Sequence, residues 1–349
     1  MPKAYPLLPC EVAAPVLLRL APWQRRAIAW LTITFVSSLF YGIPLAYLAV
    51  PILAYRGAFT AAATLAVVLL SLSFVPINEW IAARQFCQIY YEIFGARHNV
   101  SPQRAAEFTH NWKVKGERYI LGMHPHGVVP IQAFLWAAYA DQYLRTDELG
   151  TVYGFGGMAS VIFRFPVLRT IMGWLSGVAA TYKSLKQGLT GAVFSRPPVG
   201  HNLYMLPGGL AEIFTAKPGT HTAVWKPRRG LCRLALETGA RLIPMYVFGG
   251  NDFFHQAATG DSTIARLSRK FGASVTFFWG WCFLPVPLVP PHGVSIVIGD
   301  PLPSRRAAGE KPTDAEIDAL HKAYADELKA AFDAHKAAAG YPDATLKII

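Results

Sequence analysis

Two imidazoles stand close together at His124-Pro125-His126-Gly127, directly after the apolar run Tyr119-Ile120-Leu121-Gly122. An imidazole titrates near neutral pH and takes the proton of a hydroxyl as that hydroxyl attacks an acyl carbon, worth roughly a hundredfold to ten-thousandfold in rate. The apolar run reads as a strand, so the histidines fall where a strand ends, the place where ligands collect in α/β folds. Pro125 and Gly127 fix the backbone there and leave room for a substrate. The two rings are expected to point to opposite sides and to hold different roles.

A second constellation is Leu206-Pro207-Gly208-Gly209-Leu210-Ala211-Glu212. Paired glycines expose backbone N–H groups suited to an oxyanion or a phosphate, and Glu212 is placed to orient an imidazole or to hold an acceptor hydroxyl. Alone, the same residues describe a tight turn into a helix. Arg228-Arg229-Gly230 leads into an apolar helix, where guanidinium groups either clamp phosphates or face solvent. His124, His126 and Glu212 are also an alternative zinc set for a hydrolase, a different enzyme class. Cys10, Cys87, Cys232 and Cys282 show no metal spacing and read as buried fillers, with an acyl-enzyme route through Cys232 or Cys282 as a minor alternative. Gly154-Phe155-Gly156-Gly157-Met158-Ala159 imitates a dinucleotide fingerprint, but no acid follows about 20 residues on to hold a ribose, so no such cofactor is expected.

Composition shows what must carry these residues. The chain has 349 residues, 53% hydrophobic and only 15% charged, with a mean hydropathy of +0.28; charged residues make up about a quarter of an ordinary soluble protein. Net charge is +12, and between Arg164 and Arg241 there are 11 Lys or Arg against two acids, Glu212 and Glu237. This balance suits an anionic membrane or a phosphorylated ligand; no nucleic-acid-binding pattern accompanies it. The chain is uncharged from Ala27 to Tyr55 and again from Gly57 to Asn78. Crossing hydrocarbon takes roughly 20 apolar residues, so a helical hairpin with two crossings is expected, turning near Pro51 to Gly57. Arg19, Arg25 and Arg26 before it and Arg84 and Arg97 after it place both ends in the cytosol. The run is too long for a cleaved signal peptide. A hairpin alone would also serve a non-enzymatic membrane-shaping protein.

Three segments follow from this: 1–26 N-terminal and cytosolic, 27–78 a transmembrane hairpin, and 79–349 catalytic. In the last, the runs Arg118 to Met123, Asn202 to Leu206, Arg241 to Phe248 and Val294 to Ile298 read as buried strands. Helical runs such as Ile131 to Tyr143 and Leu231 to Thr238 alternate with them, which predicts an α/β sheet covered on both faces. Thr313 and Glu316 form a capping box ahead of Ile317, Leu320, Tyr324, Leu328 and Phe332 at helical spacing, predicting a helix from about Asp314 to Ala338 that packs on the domain.

In ordered blocks the chain resembles the type 2 diacylglycerol O-acyltransferases and their monoacylglycerol and wax-ester acyltransferase relatives. The blocks are His124 to Gly127; Pro166 and Arg169; Gly208, Gly209 and Glu212; Arg228 to Gly230; Pro244 to Gly249; and Ile298-Gly299-Asp300-Pro301. The resemblance implies a fold similar to glycerol-3-phosphate acyltransferases, acyl-coenzyme A as co-substrate, a neutral lipid acceptor and membrane lipids as partners, and compatibility with a homo-oligomer. It implies the endoplasmic-reticulum membrane and lipid droplets as locations. By position His126 looks like the catalytic base, His124 its support and Glu212 its partner. Gly127, Gly208, Gly209, Arg169, Arg228 and Arg229 are the candidates for acyl-coenzyme A or the oxyanion. Where the family has Phe-Gly-Glu this chain has Phe248-Gly249-Gly250, leaving Asp252 as the nearest acid, and the family's Tyr-Phe-Pro element is missing. The superfamily's acid four residues after a histidine is also absent, Val128 and Pro130 standing in those places.

Overall fold

Residues 241–248 alternate between two cores. Ile243, Met245 and Val247 face one, and Leu242, Tyr246 and Phe248 face the other. That alternation, apolar on both sides, is what a strand covered on both faces requires. The computed structural model describes residues 4–143, 154–191, 201–258, 260, 262–274, 276–303 and 311–349.

Among the described residues eight strands form one sheet: β1 (Leu8–Pro9), β2 (Arg97–His98), β3 (Tyr119–His124), β4 (Gly154–Met158), β5 (Gly177–Ala179), β6 (Asn202–Met205), β7 (Arg241–Phe248) and β8 (Ser295–Ile298). Their order is β1-β2-β8-β7-β3-β6-β4-β5. From β7 to β5 neighbours are parallel; β8 runs antiparallel to β7 and β1 antiparallel to β2. The four strands expected from sequence are present. β4 is the stretch that imitates a dinucleotide fingerprint, so its glycines lie in a strand and not in the strand-to-helix turn that such a site needs. The N-terminal segment is part of this sheet through β1, and Leu17 is buried in the same core.

The helices that frame the site are α1 (Pro22–Tyr55), α2 (Phe59–Ser73), α3 (Ile131–Tyr143), α4 (Gly209–Thr215), α5 (Arg229–Thr238), α6 (Thr263–Phe271) and α7 (Asp314–His335). α3 sits over one face of the sheet, and α5 and α7 over the other. α7 ends at His335, three residues short of the expected Ala338, and its Thr313–Glu316 capping box is formed.

Two consecutive helices occupy the uncharged run, with lengths unlike those expected. α1 spans 34 residues and is long and apolar enough to cross a membrane. Its buried positions all lie between Ala29 and Ile43, where Trp30 packs edge-on against Phe94 and Tyr41 stacks on Phe278. Beyond them Leu45, Leu48, Ile52 and Tyr55 are exposed. α2 stops after 15 residues at Ser73, not at Asn78, which gives about 22 Å of helix against a hydrocarbon thickness of about 30 Å.

Candidate active site

β3 delivers the first histidine. Along it Leu121 and Met123 face the α3 side, while Ile120 faces the α7 side. His124, the last residue of β3, falls on the α7 side: it is wholly buried, edge-on to Trp225 and Tyr324. Tyr324 in turn donates to Gly122 O at 2.8 Å. In a regular strand residues two apart share a face, so the spacing by itself does not separate the two rings. The strand ends at His124, and the following turn carries His126 across to the cavity on the opposite side.

Glu212 holds this turn from beneath. It is 1% exposed and faces inward from the first turn of α4. One carboxylate oxygen accepts from His124 Nδ1 and from Val224 N at 2.8 Å, and the other accepts from the backbone N–H of His126 at 2.7 Å. The imidazole partner of Glu212 is therefore His124, and what Glu212 grips on His126 is backbone; the expected pairing of Glu212 with the His126 ring is not formed. Gln132 closes the turn from the other side, its amide donating to Pro125 O and His126 O, both at 2.7 Å. The sequence signal for Gln132 is a polar side chain in the otherwise apolar start of α3; its complete burial is visible only in the structure.

His126 Nδ1 lies 3.0 Å from Gly127 O. A carbonyl only accepts, so Nδ1 carries the proton in the neutral ring and the lone pair is on Nε2. Burial pulls this imidazole below its ordinary range, opposed by the bond to Gly127 O and the charge of Glu212, so the ring is neutral at pH 7. It lines a cavity of about 380 Å³, within the range of small-molecule sites. Phe40 of α1, Phe134 and Trp136 of α3, Met172 and Phe278 supply much of the wall. Among the described lining residues only Arg84 and Asp141 carry formal charges, and Tyr204 lies near them; the sequence pointed to Arg84 only as a cation flanking the hairpin, and to neither Asp141 nor Tyr204.

The other candidates are distributed as follows. Gly127 has φ +65°, and a Cβ there would lie 2.5 Å from Gly250 O, so the turn needs glycine. Gly209 borders the cavity, but its N–H is spent on Leu206 O at 3.2 Å. Gly208 leaves no space for a side chain, because a Cβ would fall 1.9 Å from Glu212 Cδ. Arg228 ties the same turn by donating to Gly208 O at 2.5 Å. Arg229 pairs with Asp314 and Asp318 of α7, and Arg169 donates to Ser73 O and Val75 O at the exit of α2. Thus all three arginines are engaged with protein groups. Asp252, the acid nearest to the family's missing glutamate, accepts from Gly219 N and Tyr341 Oη and braces the C-terminal segment. Burial pushes the Cys232 thiol up to about 12, and Cys282 is exposed on a separate loop. Among the described residues no group of three or more His, Cys, Asp or Glu converges as metal ligands.

A neutral imidazole thus stands at the wall of an apolar cavity, on a turn braced by a buried His–Glu pair, an arrangement able to hold an apolar ligand beside a base. Comparison with known proteins gives the family. Residues 79–349 match the family profile described as diacylglycerol acyltransferase, and the chain belongs to that family of acyltransferases. It is 30% identical over 283 residues to Diacylglycerol O-acyltransferase 2-like protein 6 of Bos taurus, covering 74% of each chain. It is 27% identical over 291 residues to Diacylglycerol O-acyltransferase 2 of Xenopus laevis, covering 78% of this chain and 73% of the relative. It is 29% identical over 240 residues to 2-acylglycerol O-acyltransferase 3 of Homo sapiens, covering 65% and 67%.

Proposed function

We propose that this chain moves a fatty acyl group from acyl-coenzyme A to the free hydroxyl of diacylglycerol, with His126 as general base. The observation that carries the reading is the His126 ring at the wall of an apolar cavity, with Nδ1 turned to Gly127 O and its lone pair on Nε2. In the reaction Nε2 takes the hydroxyl proton as the oxygen attacks the thioester carbon. The carbon–sulfur bond then breaks, and the imidazolium returns the proton to the departing thiolate. The thioester is already activated, so no acyl-enzyme is required. His124, buried and bonded to Glu212, acts by holding the turn in place and does not touch the substrate.

Monoacylglycerol is the second acceptor, because relatives named for both activities match at similar identity. The uncharged helices α1 and α2 support a hairpin anchored in the endoplasmic-reticulum membrane, with both chain ends on the cytosolic side where acyl-coenzyme A is available. Incubating microsomes with labelled oleoyl-coenzyme A and competing diacylglycerol, monoacylglycerol and long-chain alcohol, then separating the products, identifies the acceptor. His126→Ala is expected to abolish transfer while the protein still inserts; wild-type turnover by a correctly inserted variant refutes the assignment.

A further inference from the structure

The chain has a second greasy stretch, of which the acyl-transfer reading uses only the residues that line the cavity: it is uncharged from Phe271 to Pro291 and carries Phe277, Phe278, Trp279, Trp281 and Phe283. It does not form a long helix. Phe278–Trp279 is a short strand paired with His255–Gln256, and Trp281–Phe283 is one 3-10 turn with positive φ at Cys282 (51°) and Phe283 (59°). Such φ values are rare and unfavourable for a bulky side chain. Here they turn the tip outward, with Trp281 64%, Phe283 75% and Leu284 51% exposed.

α6, just upstream, repeats the pattern. Its inward positions Ala265 and Ser268 are buried, while Ile264, Leu267 and Phe271 form an exposed apolar stripe at helical spacing. Arg266, Arg269 and Lys270 flank the stripe, all exposed, and the helix contains no acid. An apolar stripe bordered by cations, next to an aromatic tip, matches the lipid–water interface of an anionic membrane in both polarity and charge. The irregular backbone of the tip sets the depth, because unpaired peptide groups are not tolerated in the hydrocarbon centre.

The surface is continuous with the helix read as the anchor. Tyr41 of α1 stacks on Phe278, and its hydroxyl bonds both the N–H and the carbonyl of that residue. Between α6 and the aromatic tip, Gly272, Ala273, Thr276 and Phe278 line the same cavity as His126, as does Phe40 of α1. We infer that α6 and the loop 277–289 form a second membrane contact, dipping to headgroup level, and that a water-insoluble acceptor reaches His126 from the bilayer between this contact and α1. The inference rests on reading α1 as the membrane anchor.

Cys282 provides the test, since Cys10, Cys87 and Cys232 are buried. The full chain is reconstituted in vesicles containing anionic lipid and labelled at Cys282 with an environment-sensitive maleimide. Blue-shifted emission is expected, quenched more by a nitroxide lipid labelled near the ester than by one labelled near the chain end. A Cys282→Ser, Leu48→Cys protein places the same probe on the exposed part of α1 as the anchor control. Quenching at position 48 with water-like emission at 282 overturns the inference and spares the anchor. No quenching at either position overturns both. Blue-shifted emission at 282 that neither nitroxide quenches shows the loop covered by protein, such as a second copy of this chain, and also overturns the inference.

Discussion

Replacing Glu212 separates the holding of the His126 turn from the chemistry proposed for it. Its carboxylate accepts three bonds in a buried position, from His124 Nδ1, His126 N and Val224 N. In Glu212→Ala all three donors lose their acceptor, at about 1–3 kcal/mol for each buried donor left unpaired. Allowing for relaxation, the loss should be about 3–5 kcal/mol, as for a buried polar pair broken on one side. That is a large share of the stability of a domain, about 5–15 kcal/mol. Glu212→Gln is the sharper probe. Its carbonyl can still accept from His124 and Val224, but its amide then meets the His126 N–H donor to donor, and the turn must shift at that residue. A displacement of about 1 Å in a reacting group costs roughly a hundredfold in rate, so kcat should fall by about that factor with little change in KM for acyl-coenzyme A. The variant also removes the negative charge that raises the His126 pKa, so the acid limb of its pH–rate profile should move to lower pH. Thermal melts and steady-state kinetics on purified protein measure these effects. A Glu212→Gln enzyme with wild-type kcat and an unmoved acid limb would refute the positioning argument.

Gly208→Ala should behave like Glu212→Ala, because the new Cβ would lie 1.9 Å from Glu212 Cδ. The double variant should be little worse than either single one, since both break the same contact; additive losses in melting temperature would contradict this. Arg169→Ala should lower stability by removing the ties to Ser73 O and Val75 O while leaving KM for acyl-coenzyme A within about twofold; a large rise in KM with unchanged melting would restore Arg169 as a phosphate clamp. His98 is buried against Tyr139 and Tyr143, and its pKa is lowered to about 4 by that burial. Its folded pKa lies below the unfolded value of about 6.5, so the unfolded chain binds the extra proton between them. The stability contribution is whole above the upper value and is lost as pH falls toward the lower one; His98→Phe should flatten the slope of melting temperature against pH in that window.

Local pattern determined a great deal. Strands at Arg241 to Phe248 and Val294 to Ile298, the helix begun by the Thr313–Glu316 capping box, and the histidines at a strand end all follow from periodicity, capping and turn residues close in sequence. The uncharged run pointed to two helices, but not to where they stop: α2 ends at Ser73, and half of α1 rests on the domain, because tertiary packing decides how much of an apolar helix is left for lipid. Tertiary structure alone decided the electrostatic partners. Glu212 meets an imidazole 88 positions away, and that imidazole is His124 because the chain turns after β3 and sends His126 to the other face. Likewise Arg169 and Arg229, which look like free cations in the sequence, are occupied by carbonyls of the α2 exit and by carboxylates of α7. Short-range spacing encodes which way a side chain points within its own element. Which distant group neutralises it depends on how the elements pack.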